Sequence, residues 1–235
     1  MTRLDDPKVV EAQYADDSNL RARQALWVDA EGVDPKEALW RTLETWQPRR
    51  LLEVGGGQGA LAEQIVRDLG AEVTFVDISP GMVELAAARG IDARVADVQE
   101  LPFADGSFDT VVAAWMLYHV PDLQRGLAEI ARVLKPGGAL IAVTTGAGHI
   151  AELRALIGYE PRLEDTFSRE NGEEHLRQHF REVERVDADV EVAVRDRQTL
   201  VAYRDSVAAA TNPVPDDVEL PFVVHGRTSI FFATT

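Results

Sequence analysis

Cysteine is absent from the 235 residues. That absence excludes disulfides, thiolate nucleophiles and Cys-ligated metal centres together. Basic side chains are scarce: 24 Lys and Arg against 40 Asp and Glu leave a net charge of −16. Such a surface repels phosphate backbones and anionic lipid, and no Lys/Arg-rich run offsets it, so neither nucleic acid nor membrane is an expected partner. Acidity of this kind goes with solubility or a salt-adapted host, and it would steer a cationic substrate favourably. No apolar run approaches the ~18 residues that a membrane span needs. The N-terminal MTRLDDPKVVEAQ is charged and carries no apolar signal segment, which predicts a cytoplasmic chain. The five histidines form no HExxH pattern; His175 and His179 lie four apart in EEHLRQHF, but with no third ligand nearby they predict an exposed amphipathic helix rather than a metal site. Internal repeats and low-complexity linkers are missing as well. At 46% hydrophobic residues the chain can bury a real core, and its length suits one domain with small additions.

What is present is an alternation. From Arg49 onwards short β-rich runs are each followed by a helical pattern: RRLLEV then GALAEQIVRDLG, AEVTFVD then SPGMVELAAARG, DARVAD then the turn-rich LPFADGSFD, TVVAAWML then DLQRGLAEIARVL. KPGG stops that last helix and ALIAVTT follows. Apolar runs of this length between helices of 3.6-residue period predict a parallel sheet covered on both faces, and right-handed crossovers make it an α/β, doubly wound, Rossmann-like sheet. Residues 1–47 read as helices anchored by Trp27, Trp40 and Trp46, with Asp34-Pro35 opening the second. After His149 come helices around AELRALIG and NGEEHLRQHF, a strand-like VERVDADVEVAV and a helical RQTLVAYRDSVAAA. The closing PFVVHGRTSIFFATT reads as two β-rich runs about a His-Gly turn, a terminal hairpin that would give the sheet an antiparallel edge.

The loop after the first of these strands, LLEVGGGQGALAEQI, places four glycines in five positions. Glycine between strand and helix lets backbone approach a ligand closely and permits positive φ. Two ligand readings compete. Gly55-x-Gly57-x-x-Ala60 satisfies the dinucleotide fingerprint, with pyrophosphate on a helix N-terminus. Glu53-x-Gly55-x-Gly57-x-Gly59 is the acidic-x-Gly-x-Gly-x-Gly pattern of enzymes that use S-adenosylmethionine (SAM). Asp77 ends the next strand 18 residues beyond Gly59, where a carboxylate accepts from both hydroxyls of a ribose. Asp97 follows the third strand in VADVQELPF, where it can accept from an adenine amine, with the Val98 N–H serving a ring nitrogen. Ile78 and Met82 are expected over the purine faces. A nicotinamide oxidoreductase would use the glycines and Asp77 but leaves Asp97 and the hairpin unexplained, and no Tyr-x-x-x-Lys set accompanies them.

Together LLEVGGGQGALAEQI, VDISPGMVELAAARG, ARVADVQELPFADGSFDTVVAAWMLYHVPD and EIARVLKPGGALIAVT resemble a class I SAM-dependent methyltransferase, most of all the branch that includes the ubiquinone/menaquinone-biosynthesis enzymes. The resemblance implies a seven-stranded sheet with an antiparallel last strand. It implies that Glu53, Gly55, Gly56, Gly57 and Gly59 line the methionine part of SAM, that Asp77 holds the ribose, that Asp97 with Val98 holds the adenine, and that the Ala114 carbonyl meets the amino group. It also implies a division into an N-terminal helical lid, 1–47, and a SAM-binding domain, 48–235. QYADDSNLRARQALW and FSRENGEEHLRQHF with LVAYRDSV are similar to a bacterial subgroup acting on small molecules, with Trp27 where that subgroup often carries His.

Methyl transfer from a sulfonium is an in-line displacement, so the protein must align an acceptor and remove its proton where needed. A lid would exclude water, with Tyr14 and Arg23 on its inner face and Arg23 pairing with the SAM carboxylate. His119, in WMLYHVPD behind the fourth strand, is the candidate general base, because its reference pKa is near neutral. It serves equally well as a packed residue that shapes the loop. Tyr118, His149 and Tyr159 are further candidates for the acceptor pocket. A SAM-binding regulatory protein without catalysis is the remaining alternative.

Overall fold

The computed structural model describes residues 18–159 and 167–235. Tyr14 lies outside them. Among the described residues the chain runs α1 (Ser18–Ala25), β1 (Glu31–Gly32), α2 (Pro35–Trp46), β2 (Arg50–Val54), α3 (Ala60–Leu69), β3 (Glu72–Asp77), α4 (Pro80–Ala88), β4 (Asp92–Val95), β5 (Phe108–Ala114), α5 (Leu123–Val133) and β6 (Leu134–Thr145). There follow α6 (Ala151–Ile157), α7 (Gly172–Leu176), β7 (Glu182–Val194), α8 (Arg197–Asp205) and β8 (Phe222–Thr234). One sheet holds every strand in the order β1-β7-β8-β6-β5-β2-β3-β4. The five strands from β4 to β6 are parallel, and β2, β3 and β5 carry the apolar runs of strands buried on both faces. β8 inserts antiparallel between β6 and β7.

The order reverses beside β2. The chain builds outward through β3 and β4, then returns to lay β5 on the other side of β2. That reversal opens a crevice above the carboxyl ends of β2 and β5, where open α/β sheets bind ligands. On one sheet face Leu127, Ile130 and Val133 of α5 pack with Phe167, Leu176 and Phe231. On the other lie Leu39 and Leu43 of α2, Ala62 and Ile65 of α3, and Ala86 of α4. A third cluster stands beyond the carboxyl edge, where the ends of β7 and β8 project past β6: Leu26, Leu153, Ile157, Val192, Leu200 and Val224 form a cap.

Three expectations change. The sheet has eight strands rather than seven, because Glu31 and Gly32 pair with Glu191 and Val190 and so occupy the free edge of β7. The terminal hairpin is not formed: 222–234 is one continuous strand, antiparallel to both β6 and β7. Gly226 marks a close approach, not a turn, since a Cβ there would lie 2.6 Å from Val190 Cγ2 and 3.0 Å from the Trp27 ring. α2 is a core-covering helix: Asp34 caps it by accepting from Lys36 N at 2.7 Å, and Trp46 Nε1 donates to Thr110 Oγ1 at 2.8 Å. Finally, β5 stops at Ala114 and does not run on through AAWML.

The two histidines of EEHLRQHF flank one glutamine. Gln124 Nε2 lies 2.8 Å from His175 Nδ1, and Gln124 Oε1 lies 2.8 Å from His179 Nε2. A side chain that both donates and accepts satisfies the pair without a cation. Among the described residues no group of three His, Asp or Glu could hold a metal ion.

Candidate active site at the sheet switch point

The glycine loop joins β2 to α3. Gly55 has φ +63° and its N–H donates to Val76 O at 2.8 Å, tying the loop to β3. A side chain at Gly55 would be excluded twice over: the backbone is left-handed, and a Cβ would sit 2.9 Å from Met116 Cβ. Gly56 is needed for space, because a Cβ would fall 2.3 Å from Glu53 Cδ. Gly57 and Gly59 complete the turn in the same left-handed region.

Beneath this loop Glu53 is 1% exposed. Its carboxyl accepts the N–H of Ala62, in the first turn of α3, while Oε2 has no partner. Burial raises its pKa from 4.5 to about 8; the Ala62 hydrogen bond opposes that rise and the nearby Asp77 adds to it. Gln58 Nε2 is a second buried atom without a partner in the same loop. From outside, Arg89 Nε donates to Gln58 O at 2.8 Å and Arg89 Nη1 pairs with Glu63 at 2.5 Å, which pins the turn.

Asp77 is the last residue of β3, as expected. Oδ1 accepts from Ser79 N at 2.8 Å, and the N–H groups of Gly57 and Ile78 also serve the carboxyl. Burial still outweighs these donors and holds its pKa above the usual value. Asp97 follows β4 by two residues; Gln99 grips it, with its N–H 2.9 Å from Oδ1 and its Nε2 at 3.0 and 2.9 Å from Oδ1 and Oδ2. Gln99 Oε1 in turn accepts from Asp122 N at 2.9 Å, linking this corner to the start of α5. Ala114 ends β5 beside Val143 of β6.

The purine-covering pair divides. Ile78 is 49% exposed above the crevice, whereas Met82, on the inner face of α4, is 1% exposed in this structure. Val98 is likewise buried, packed with Leu101 and Leu127, so only its backbone remains for a ligand. Met82 sits at the helical spacing of the α4 core face, and a methionine there reads the same whether it faces core or ligand.

Behind β5 the turn is strained. Trp115 has φ +56°, a backbone region that costs a bulky residue of order 1–3 kcal/mol. It reverses the chain so that Met116 lies on Gly55, and leads into a 3-10 turn at Leu117–His119. The Tyr118 and His119 rings meet edge to face at 4.5 Å. Sequence reasoning missed Gln58, Arg89, Gln99, Trp115 and Met116; only the last two left any signal, as the unusual end of an apolar run.

Arg23, on α1, contacts α8. Its Nη2 donates to Ser206 O at 2.7 Å, at the C-terminus of α8, where a cation complements free carbonyls. This contact fastens α1 to the cap. Trp27 packs in the cap as well, its ring 5.6 Å from that of His149. His149 Nδ1 accepts from Arg227 N at 3.0 Å, which places its proton on Nε2, and burial lowers its pKa to about 4. It is a neutral donor at pH 7 and not a base. Tyr159 is partly buried against the same cluster.

Residues 52–142 match the family described as methyltransferase domain. This segment is similar to methyltransferase domains. Ubiquinone biosynthesis O-methyltransferase of Xanthomonas oryzae pv. oryzae is 41% identical over 118 residues, which are 47% of this chain and 49% of that protein. The chain thus spans about half the length of the curated relatives it matches. The cyclase SpnF superposes with TM-score 0.65 at 24% identity, over 96% of this chain and 94% of that one. Phosphoethanolamine N-methyltransferase 2 of Haemonchus contortus, in complex with phosphomonomethylethanolamine and S-adenosylhomocysteine, gives TM-score 0.66 at 17% identity, over 100% of this chain and 60% of that one. These likenesses extend the methyltransferase fold beyond the matched segment to the antiparallel strands.

Proposed function

We propose that the chain is a cytoplasmic enzyme that transfers the methyl group of SAM to a small-molecule acceptor. The observation that carries this reading is the seat of Glu53. Its carboxyl takes the Ala62 N–H, one of the donors that a pyrophosphate would use at the N-terminus of α3. A pyrophosphate at this loop would meet the buried Glu53 carboxyl, which already occupies that donor. A cofactor carrying ammonium and sulfonium charge has the opposite need, and the partnerless Glu53 Oε2 and Gln58 Nε2 suit its polar end. The S-adenosylhomocysteine held by the Haemonchus enzyme and the O-methyltransferase name of the Xanthomonas relative support the same chemistry.

In this reading the glycine loop cradles the methionine part, Asp77 receives the ribose hydroxyls, Asp97 and the Val98 N–H receive the adenine, Ile78 covers one purine face, and the Ala114 carbonyl accepts from the amino group. Bound SAM supplies a methyl group already activated by its sulfonium. The chain aligns the acceptor over the crevice, with Met116 and the Tyr118–His119 turn as its floor, and His119 stands where a proton is to be removed. The net charge of −16 argues against nucleic acid, and among the described residues no helix is long and apolar enough to cross a membrane.

Isothermal calorimetry tests the reading. S-adenosylhomocysteine should bind with measurable heat and NADH should not; heat from NADH alone would hand the site to the oxidoreductase alternative.

The part of the N-terminal segment that serves as a lid is the one around α1, from near Tyr14 to Trp27. Leu26 is buried in the cap, Arg23 ties α1 to α8, and the cap overhangs the carboxyl edge. Closure on a cofactor exchanges solvent contacts for ligand contacts, so amide exchange over residues 14–27 is expected to slow when S-adenosylhomocysteine is added, while β2 and β5 barely change. Equal protection with and without ligand would make this segment a static part of the cap.

A further inference from the structure

We infer that Glu53 is a neutral carboxylic acid in the unliganded chain and becomes a carboxylate when the cofactor binds, so that binding expels a proton. The inference rests on the SAM reading above and concerns what this chain does to accommodate a cationic ligand.

The geometry around Glu53 is that of a group built for one state and loaded into another. The side chain is 1% exposed, with Oε2 shielded from solvent and without a partner. A carboxylate there would carry a full charge against one backbone N–H, an arrangement far costlier than the neutral acid. Among the described residues, the groups bearing on its charge are the Ala62 N–H and the acidic Asp77, and no cation is among them. On the flanking strands its register neighbours are Phe75 of β3 and Val112 of β5. Asp77, at the end of β3, is the charged group that bears on it, and it is acidic. α3 contributes the Ala62 N–H; its Glu63 is turned outward and paired with Arg89. The loop contributes Gly56, whose missing Cβ leaves the carboxyl in place. These are the features that hold the pKa near 8.

A ligand ammonium arriving at the glycine loop supplies the charge that this pocket lacks. The O–H bond of the Glu53 carboxyl breaks, its proton passes to solvent, and the carboxylate is neutralised by the ligand. No electron moves and no other reactant is needed. Two consequences follow. Affinity rises with pH below about 8, and an anionic ligand finds no such exchange available, which makes Glu53 a charge filter at the cofactor site.

The experiment is calorimetric titration of the full chain with S-adenosylhomocysteine at pH 7 in phosphate and in Tris, whose ionisation enthalpies differ. The expected result is release of close to one proton, with Kd tightening about tenfold per unit between pH 6 and pH 7. Glu53→Gln should bind without that release and with a nearly flat pH profile. Infrared difference spectra of the wild-type chain give a measurement independent of the variant's folding: the carbonyl band of a protonated buried carboxylic acid should vanish on binding. Binding without proton release, release retained in Glu53→Gln, or a persisting carbonyl band would each overturn the inference while leaving the cofactor reading intact. No binding of S-adenosylhomocysteine at all would overturn both.

Discussion

Replacing Glu53 with glutamine is expected to stabilise the unliganded chain, by an amount that grows as pH rises. The folded-state pKa of about 8 stands above the ordinary 4.5, so the folded chain holds a proton that the unfolded chain gives up. Sign follows directly. Wherever the folded state binds more protons, stability falls with rising pH; here the penalty is absent below about pH 4.5 and accumulates until pH 8, where the folded group ionises too. Each unit in that window is worth 1.36 kcal/mol at most, and the wild-type chain should lose about 3 kcal/mol at this position between pH 5 and pH 8. Glutamine keeps the shape and cannot ionise. For a domain of this size the advantage of the variant in melting temperature should widen by roughly 10 °C over the same interval. Thermal unfolding of both proteins at pH 5 and pH 8 reads this directly. An advantage of equal size at the two pH values would show that the wild-type carboxyl is already ionised in the fold.

Loss of the Asp77 carboxylate should weaken cofactor binding more than any other single change at the switch point. Two hydrogen bonds from ribose hydroxyls to a charged acceptor are worth about 1.5–3 kcal/mol each, so Asp77→Ala should raise the Kd of S-adenosylhomocysteine by two orders of magnitude or more. The structure adds a second cost. Asp77 also receives the N–H groups of Gly57, Ile78 and Ser79, and alanine leaves those donors without their acceptor. Some loss of stability, about 1–3 kcal/mol, should accompany the loss of affinity. Asp77→Asn separates the two effects: its amide oxygen still accepts from the loop, so the fold should be nearly restored while the charge-assisted part of binding stays lost. A folded Asp77→Ala chain with unchanged Kd would remove Asp77 from the site.

Reading the strands from their apolar runs works for β2, β3 and β5 because parallel strands inside the sheet are buried on both faces and so leave an uninterrupted signal. The same logic fails at two ends of runs. TVVAAWML is apolar throughout, yet the strand stops at Ala114 because Trp115 adopts positive φ, a conformation that packing imposes and no local preference favours. His225-Gly226 looks like a hairpin turn, but the glycine is there to admit the Trp27 ring, which comes from the far end of the sequence. Arg23 carries the same lesson: its spacing suits a lid's inner face, and its partner, Ser206, is 183 residues away.

What the sequence determined by itself is the doubly wound scaffold and the addresses of Glu53, the glycine loop, Asp77 and Asp97, because each depends on residues next to one another at a strand end. Tertiary structure decided the rest. It buried Met82, seated Gln99 on Asp97, sent Arg23 to α8, and laid Met116 against Gly55. Above all it closed the protein around Glu53. A carboxyl group at the end of an apolar strand is acidic in any unfolded chain; only the approach of β3, α3 and the loop removes its water, and desolvation is what holds its proton.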